Sequence, residues 1–403
     1  MKLKEKLRHW TMWNVISKTF ILFSLKKRYR FNKHPSSFRF PKPPFLVVSN
    51  HGTFFDPWFI GFYSIKPFYL MINDDAFRVG KITSWYLRNV GTIPKKKGSS
   101  DFKAMKLTLK RLKERDAVCI FPEGQTTWDG ETQPIYKGIE KIAKRARCPV
   151  VLVRLKGNFL MKPWWAESLR KGRVHIDFKT LSAQEIESMS EERLLSIIQK
   201  SIYQNDVKDP DNQKAPFSGN NLALGLQNFV WNCVHCNSED MLEVSGSTVT
   251  CSHCNKSWLM DAHCGFTEQG KSTPAFDLYD WSLKHKEMVK GKIAAATDNE
   301  LLTQSSAIEM QTFNSENDDF EIVLKSGNAK LTPKTLSITD GDKEYSWPVN
   351  AISDFVIQRK NIFEFCHKNE VIRFAFSNKS PMKWVTYLRY LHGYEEYEKK
   401  GHI

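Results

Sequence analysis

The sequence contains no apolar run of about 18 residues free of charge, which is the length a helix needs to cross a bilayer. We therefore expect no plain transmembrane helix. Cysteine is scarce as well: eight Cys in 403 residues do not form the scaffold of a disulfide-stabilised secreted domain. No repeat or low-complexity tract dominates, and 41% hydrophobic residues exclude wholesale disorder. The length predicts about two to four domains.

Acidic residues are few in the first half of the chain. Residues 1–200 hold 39 basic and 17 acidic side chains, a charge of +22, whereas the remainder holds 21 and 27, a charge of −6. An imbalance confined to one half indicates an anionic partner for that half. Nucleic acid, a phosphorylated substrate and an anionic membrane all fit this charge, and composition alone does not distinguish them.

The first 33 residues combine ten Lys/Arg with a 16-residue stretch rich in Trp and Phe, from Trp10 to Leu25. Lys18 in its middle disfavours a spanning helix, and basic residues follow where a signal peptide needs a cleavage site. We expect residues 1–33 to form an amphipathic helix at the membrane interface. The predicted apolar anchors are Trp10, Trp13, Phe20 and Phe23. The alternative is an amphipathic helix packed on its own domain.

Continuous apolar runs alternate with helical patterns over the next part of the chain. The runs are 45–49, 117–121, 150–153 and 174–178, and the helical patterns are 101–114, 136–147 and 183–203. This alternation predicts an α/β domain with a mostly parallel sheet and flanking helices, which we place at residues 34–205.

The second half predicts smaller modules. Residues rich in Asp, Asn, Pro, Gly and Ser predict a linker, and the final hundred residues show short β-rich runs separated by turn signals before a closing helix. The predicted segments are a linker at 206–225, a metal-ligand segment at 226–268, a helix and linker at 269–306, and a small β-barrel or sandwich at 307–403.

The segment that follows the first apolar strand carries a possible acid–base pair, His51 and Asp56. Four intervening residues let the carboxylate fold back onto the imidazole, fix its tautomer and leave the other ring nitrogen free to take a proton. The alternative is structural: Asp56 before Pro57 suits a helix N-cap, and a lone His after a strand is often structural.

Two further motifs accompany this pair. Phe121-Pro122-Glu123-Gly124 follows the second apolar strand, so its carboxylate should lie at the same sheet edge as His51, where open α/β sheets bind ligands. Between the two motifs, residues 91–98 form a basic loop suited to a phosphate. Its alternative is a solvated charged face.

Four short motifs in this order resemble those of the glycerolipid acyltransferase family, typified by 1-acylglycerol-3-phosphate acyltransferases. They are Asn50-His51-x4-Asp56, Gly91-x-Ile93-Pro94, Phe121-Pro122-Glu123-Gly124 and Cys148-Pro149-Val150-Val151. Each is weak alone, but four in order at spacings of about 40, 30 and 25 residues are specific. The resemblance covers residues 1–205, half of the chain.

This resemblance implies acyl transfer without an acyl-enzyme intermediate. His51 would act as the general base on an acceptor hydroxyl and Asp56 would orient it, while the donor would be acyl-CoA or an acyl carrier protein and the acceptor a lysophospholipid or glycerol phosphate. Lys97 stands where the family usually has Arg, which keeps the charge and loses the bidentate fork. The residues implied to bind substrate are Asn50, Gly91, Ile93, Pro94, Lys97, Phe121, Pro122, Glu123 and Gly124.

The second specific pattern is a pair of Cys-x-x-Cys motifs separated by 14 residues. Two such knuckles at this spacing predict a four-Cys zinc ribbon, a closed structural Zn²⁺ site with no catalytic role. The predicted ligands are Cys233, Cys236, Cys251 and Cys254, and His235 and His253 are expected to be bystanders. The C-terminal segment resembles a pleckstrin-homology-like domain in strand count and order, and an uncommitted β domain is the alternative.

These features together predict a peripheral or monotopic enzyme on the cytoplasmic face of a membrane, with an anionic bilayer as its partner and an acyl carrier protein as a second candidate partner. A basic zinc-ribbon protein that binds nucleic acid is one alternative. The ribbon segment disfavours it, because residues 226–268 hold no Arg and hardly any Lys, so we expect no nucleic-acid partner. A catalytically silent lipid-binding scaffold is the other alternative, and the intact His51, Asp56 and Glu123 argue against it.

Overall fold

The computed structural model describes residues 3–20, 30–31, 38–62, 64–78, 80–95, 102–317, 319–368 and 370–402. The chain divides into two compact units. Unit 1 comprises Met1–Trp164, Leu169–Ser218 and Lys400–Ile403, and unit 2 comprises Trp165–Ser168 and Gly219–Lys399. Among the described residues, no helix is both long enough and apolar enough to span a membrane.

Unit 1 is built on one seven-stranded sheet with helices around it. Its strands are β1 Arg30–Phe31, β2 Phe45–Ser49, β3 Phe68–Asn73, β4 Thr92–Lys95, β5 Ala117–Ile120, β6 Val150–Lys156 and β7 Arg173–Leu181. Their order is β1-β7-β6-β2-β5-β3-β4, and every pairing is parallel except β6 with β7. The predicted α/β class with a mostly parallel sheet is therefore confirmed.

Ten α-helices lie among the described residues of unit 1. They are α1 Leu3–Thr11, α2 Lys18–Phe20, α3 Asp56–Gly61, α4 Lys81–Val90, α5 Phe102–Lys113, α6 Ile139–Ala146, α7 Asn158–Met161, α8 Ala183–Ser188, α9 Glu191–Ile202 and α10 Pro210–Lys214, with a π-helix at Met12–Ser17 and a 3₁₀ turn at Asp74–Arg78.

The sheet core explains why the apolar runs formed strands. All five residues of β2 are buried, and its neighbours β5 and β6 supply Val118, Ile120, Val150 and Leu152 to the same core. Strands covered on both faces lack a polar alternation, so they read as continuous apolar runs. Because β2 and β5 are parallel neighbours, the loops that follow them emerge at one edge of the sheet.

The predicted linker at 206–225 is instead folded. Asp206 is 1% exposed and bonds to the backbone of residues 157 and 159, and Asp209 caps α10 through its side chain. Residues up to Ser218 belong to unit 1, and those from Gly219 belong to unit 2. The Asp- and Asn-rich composition forms turns here, and these turns pack against the sheet domain.

Unit 2 begins with a five-stranded antiparallel sheet of order β12-β11-β10-β9-β8. These strands are β8 Leu242–Ser245, β9 Thr248–Cys251, β10 Ser257–Met260, β11 Gly265–Glu268 and β12 Phe276–Asp277. Helix α11, Leu278–Ala295, follows and buries Trp281 against Phe266, with ring centroids 4.9 Å apart. Asp277 opens this helix with a capping box, as its position before an apolar run favours.

A second antiparallel sheet completes unit 2. Its strands are β13 Thr303–Asn314, β14 Asp319–Leu331, β15 Thr335–Thr339, β16 Glu344–Pro348, β17 Ile352–Gln358, β18 Ile362–His367 and β19 Glu370–Ala375, in the order β16-β15-β14-β13-β19-β18-β17. Helix α12, Met382–Leu391, buries Trp384, Tyr387 and Leu388, and α13, Tyr394–Lys400, follows after a break at Gly393. The predicted boundary between the linker and the β domain at residues 306 and 307 is corrected, because β13 already begins at Thr303.

Candidate active site

The His51–Asp56 pair is formed at the carboxyl edge of β2. The strand ends at Ser49 and α3 begins at Asp56, so the intervening turn folds back on itself. Nδ1 of His51 lies 2.9 Å from Oδ2 of Asp56, with the imidazole 20% exposed and the carboxylate fully buried. With the proton on Nδ1 donated to the carboxylate, Nε2 is the ring nitrogen that can accept a proton.

Asp56 is held by more than His51. The N–H groups of Gly52 and Thr53 donate to the same Oδ2 at 2.7 and 3.0 Å, and the amide of Asn158 donates to Oδ1 at 2.9 Å. The N-cap of α3 is Phe55, without a side-chain cap, so the alternative role of Asp56 as N-cap is wrong. Asn158 was not predicted, because it lies 102 residues from Asp56 in a segment with no motif.

The Phe121–Gly124 motif packs directly against this pair. The Phe121 ring stacks on the imidazole with centroids 4.3 Å apart and an interplanar angle of 26°. Glu123 is 2% exposed, and its two oxygens accept bonds from the N–H of His51 at 2.6 Å and of Gln133 at 2.7 Å. Burial raises the pKa of Glu123 well above its usual value. These contacts favour a role in fixing the His51 loop, and substrate binding by Glu123 stays a prediction.

Two other predicted substrate residues are likewise bound to the protein itself. Both ends of the Asn50 amide bond to the backbone of Leu155, at 2.9 and 2.8 Å, and Asn50 is 4% exposed. Pro122 is buried in the turn beside Glu123. Both residues therefore shape the loops that follow β2 and β5.

The basic loop is divided between the two ends of β4. Gly91 precedes this strand, at the amino edge of the parallel sheet, where its positive φ of 87° turns the chain and the His9 ring packs against it. Gly91 therefore lies at the edge opposite His51, which corrects the prediction that it joins the site. Ile93 is buried within the strand and Pro94 is exposed. Lys97 lies outside the described residues.

The carboxyl end of β4 does reach the site. Lys95 pairs with Asn73 of β3, and the Asn73 amide donates to the Gly124 carbonyl at 3.2 Å. The Lys95 ammonium lies 4.5 Å from the centroid of the Tyr136 ring, and this ring packs on Gly124. Lys95, which belongs to the predicted basic loop 91–98, and Asn73, which was not predicted, thus bring a cation and an amide to the Phe121–Gly124 motif.

The four predicted metal ligands converge in unit 2. Sγ of Cys233 lies 3.7 Å from Sγ of Cys254, Sγ of Cys236 lies 3.8 Å from Sγ of Cys251, and all four lie within 4.8 Å of one another. A tetrahedral Zn–S₄ site with bonds of about 2.3 Å requires sulfur–sulfur distances of about 3.8 Å, so the cluster fits zinc.

The two halves of the cluster repeat the same local structure. After each knuckle an Asn adopts a left-handed conformation, Asn237 at φ 59° and Asn255 at φ 59°, and its N–H bonds back to the carbonyl of the first Cys. Hydrogen bonds from the Ser238 hydroxyl and backbone N–H lower the pKa of the Cys236 thiol to about 5, whereas burial raises the pKa of the Cys233 thiol. His235 and His253 are exposed.

Unit 1 also exposes large apolar side chains on its amino-terminal helices, on α4 and in the loops that carry Phe54 and Ile65. We call the following residues the apolar surface: Leu3, Leu7, Trp10, Val15, Ile16, Phe20, Phe54, Ile65, Ile82 and Trp85, each at least 42% exposed. The elements that carry them contact one another, because Ser17 bonds to Tyr86 of α4 and the Trp58 indole donates to the same hydroxyl at 3.1 Å. Phe54 packs on Trp58 with centroids 5.0 Å apart.

The predicted anchors divide between the two sides of the amino-terminal segment. Trp10 and Phe20 are exposed, at 44% and 62%. Trp13 is 2% exposed, because its ring packs against Phe68 and fills the space beside Gly61, so its prediction as a membrane anchor is wrong. Phe23 lies outside the described residues. The segment therefore both packs on its domain and presents an apolar stripe.

Comparisons with known proteins concern mainly unit 1. The family model described as Acyltransferase matches residues 30–156. A chloroplastic 1-acyl-sn-glycerol-3-phosphate acyltransferase of Brassica napus is 29% identical over 136 residues, which is 33% of this chain and 39% of the relative. The match thus spans about two fifths of the length of that relative.

Two solved structures resemble parts of the chain. The 1-acyl-sn-glycerophosphate acyltransferase PlsC of Thermotoga maritima is 19% identical with a TM-score of 0.41, covering 50% of this chain and 80% of that chain. The N-terminal PH domain of the human ARAP2 protein is 14% identical with a TM-score of 0.19, covering 25% of this chain and 87% of that chain.

Proposed function

We propose that the protein transfers a fatty acyl chain to a hydroxyl of a lysophospholipid or of glycerol phosphate, a proposal supported by the match of residues 30–156 to the family model described as Acyltransferase. The observation that carries this proposal is the His51–Asp56 pair, with Nδ1 and Oδ2 2.9 Å apart at the carboxyl edge of a mostly parallel sheet. This edge is where ligands bind in open α/β sheets.

In this proposal His51 and Asp56 act by a general-base mechanism. Nε2 of His51 removes the proton of the acceptor hydroxyl, and the oxygen attacks the carbonyl carbon of a thioester donor, which is either acyl-CoA or an acylated acyl carrier protein. The tetrahedral intermediate then expels the thiolate, which takes the proton from the imidazolium. Asp56 stabilises the imidazolium and holds its tautomer, and the stacked Phe121 ring restricts its rotation. The acyl ester forms as the thioester breaks, and no acyl-enzyme arises.

We assign the acceptor phosphate to the end of β4. Lys95 lies beside the Phe121–Gly124 motif, and Lys97 follows two residues later in a run of three lysines. An ammonium offers a point charge without the bidentate geometry of Arg, so the site recognises the charge of the phosphate more than its orientation.

The four-Cys cluster takes Zn²⁺ in a structural role in this proposal. Four thiolates complete a tetrahedral coordination and leave no open position for a substrate. The cluster supplies fold stability to unit 2, and the chemistry belongs to unit 1.

The membrane is the proposed place of the reaction, with the protein peripheral or monotopic on the cytoplasmic face. The apolar surface includes Phe54, which lies three residues after His51. The loop that carries the general base therefore also contributes to the apolar surface. Basic residues 4, 6 and 8 of α1 and Lys81 and Arg88 of α4 accompany it, which favours an anionic bilayer.

The test is an assay of the purified full chain with a panel of lysophospholipids and glycerol phosphate as acceptors. The donors are acyl-CoA and an acylated acyl carrier protein. Turnover should fall about 10²–10⁴-fold in His51→Ala and in Asp56→Asn, since both remove general-base catalysis or its correct tautomer. The matched control is Asp177→Asn, a half-exposed carboxylate paired with Arg154, which should keep wild-type turnover. Normal turnover in His51→Ala would overturn the mechanism.

Transfer to no acceptor of the panel by a folded wild-type chain would favour the silent lipid-binding scaffold instead. The nucleic-acid alternative lacks a basic surface on the ribbon segment, whose positive charge is limited to Lys256, itself paired with Glu268.

A further inference from the structure

A buried amide completes the surroundings of Asp56. Asn158 opens α7 and is fully buried, and its Nδ2 donates to Oδ1 of Asp56 at 2.9 Å. The other carboxylate oxygen, Oδ2, accepts hydrogen bonds from Nδ1 of His51 and from the N–H groups of Gly52 and Thr53. The two oxygens are therefore held by different elements, and the Asn158 bond fixes the rotation of the carboxylate about its Cβ–Cγ axis.

The turn that carries Asn158 is itself held by a buried carboxylate. Asp206 is 1% exposed; its Oδ1 accepts the N–H of Gly157 at 2.8 Å and its Oδ2 accepts the N–H of Phe159 at 2.9 Å. The Asn212 amide donates to Oδ1 as well, at 3.0 Å. Asp206 thus accepts hydrogen bonds from the backbone on both sides of Asn158.

Close packing leaves this turn little freedom. A Cβ at Gly52 would lie 2.6 Å from the Asn158 amide nitrogen, so the loop that bears His51 meets Asn158 only because residue 52 lacks a side chain. Gly157 adopts a φ of 77°, a left-handed conformation that turns the chain from β6 into α7. Gly130, Phe159 and Asp206 line one small cavity together with His51 and Asn158.

We propose that Asn158 and Asp206 are positioning residues of the acyl transfer: Asn158 aligns the Asp56 carboxylate with His51, and Asp206 aligns Asn158. The proposal rests on the proposed function for its reaction. A carboxylate free to rotate loses the short bond to Nδ1–H, and misplacement of a reacting group by about 1 Å can lower turnover about 10²-fold. The chain after the acyltransferase motifs, residues 206–212, thereby contributes to the site.

The test compares Asn158→Ala, Asn158→Ser and Asp206→Asn in the full-length protein. The matched control is Glu140→Gln, a buried carboxylate of the same unit whose oxygens accept the N–H of Gly138 at the start of α6. Assays are run at pH 8 and above, because burial raises the pKa of Asp206 to about 7 and its ionised form accepts both backbone bonds. Thermal unfolding identifies the variants that are folded.

We expect kcat to fall about 10–100-fold in the Asn158 variants and by a smaller factor in Asp206→Asn, with KM for donor and acceptor unchanged, because alignment affects the reacting groups and not the binding of substrate. The control, Glu140→Gln, should keep the wild-type kcat even if its melting temperature changes. A purely structural role would lower the melting temperature and leave kcat per folded molecule unchanged, which would overturn the proposal.

A second readout does not need activity. The Nδ1 proton of a histidine bonded to a carboxylate is protected from exchange and resonates at low field in proton NMR, and the signal of His51 is the one absent from His51→Ala. We expect Asn158→Ala to lose or shift this signal and Glu140→Gln to keep it. An unchanged signal together with normal kcat refutes the positioning role even if His51→Ala is inactive. A wild-type chain without transferase activity refutes the proposed function instead.

Discussion

At the scale of single residues, His9 shows how the amino-terminal helix is joined to the sheet domain. His9 is 5% exposed, its ring packs on Tyr69 in a tilted arrangement with centroids 4.4 Å apart, and its Nε2 lies 3.2 Å from the Phe68 carbonyl. It also occupies the space that the absent side chain of Gly91 leaves. Burial lowers the pKa of His9 from 6.5 to about 4, so the folded protein holds this residue neutral.

This shift gives a predicted pH dependence of stability. Between pH 6.5 and about 4 the unfolded chain binds a proton at His9 that the folded protein does not, so the free energy of unfolding falls as the pH falls through this window. The difference amounts to at most about 3 kcal/mol. Melting temperatures of wild type and His9→Gln should therefore differ in slope between pH 7 and pH 5, with the variant less sensitive. Equal slopes of melting temperature against pH in the two proteins would contradict the lowered pKa of His9.

The sequence indicated some residues of the site and not others, for a physical reason. His51 and Asp56 lie five positions apart, and each Cys pair lies within four, so local spacing already limits their geometry. Asn158 and Asp206 reach the site from 102 residues and more away along the chain, through side chains that are common in turns. No local pattern distinguishes such residues from ordinary loop residues.

At the scale of secondary-structure elements, the metal-ligand knuckles are the feature most amenable to test. Metal analysis should find one zinc per chain, and Cys233→Ser should lower that content and the melting temperature of unit 2, because a structural zinc site supplies folding free energy directly. The matched control is Cys366→Ser, a cysteine of the same unit outside the cluster, which should keep its zinc. Zinc retained in full by Cys233→Ser would contradict the assigned ligand set.

Elements buried on both faces were the most predictable part of the fold. β2, β5 and β6 contain continuous apolar runs, whereas β3 and the edge strand β4 were not predicted. In β4 the short sequence contains Pro94 and ends at Lys95. The helix expected at 183–203 is interrupted where Ser190 caps α9, so one long pattern became α8 and α9. Pro94 in β4 and Ser190 between α8 and α9 are the residues that interrupt the regular pattern. The apolar periodicity of the surrounding sequence nevertheless remains visible.

At the scale of the whole molecule, the charge asymmetry follows the division into units. The basic half of the sequence supplies nearly all of unit 1, which also carries the apolar surface, while the acidic remainder supplies most of unit 2. Simple deletion of residues 1–30 is a poor test of membrane binding, because it would also remove His9 and Trp13 from the packed interior. Substitutions on the exposed stripe leave that interior intact.

We predict that the full-length protein sediments with anionic vesicles more than with neutral ones, and less at high salt. Each Lys or Arg near an anionic surface contributes about 1 kcal/mol, an attraction that salt screens over about 10 Å. Leu7→Glu and Trp85→Glu, which place a charge on the apolar surface, should reduce the bound fraction and the turnover of vesicle-borne acceptors, while short soluble acceptors react normally. Leu259→Glu, at an equally exposed residue of unit 2, is the matched control and should bind as wild type. If Leu259→Glu abolishes binding and the two unit 1 variants do not, the surface that contacts the membrane belongs to unit 2.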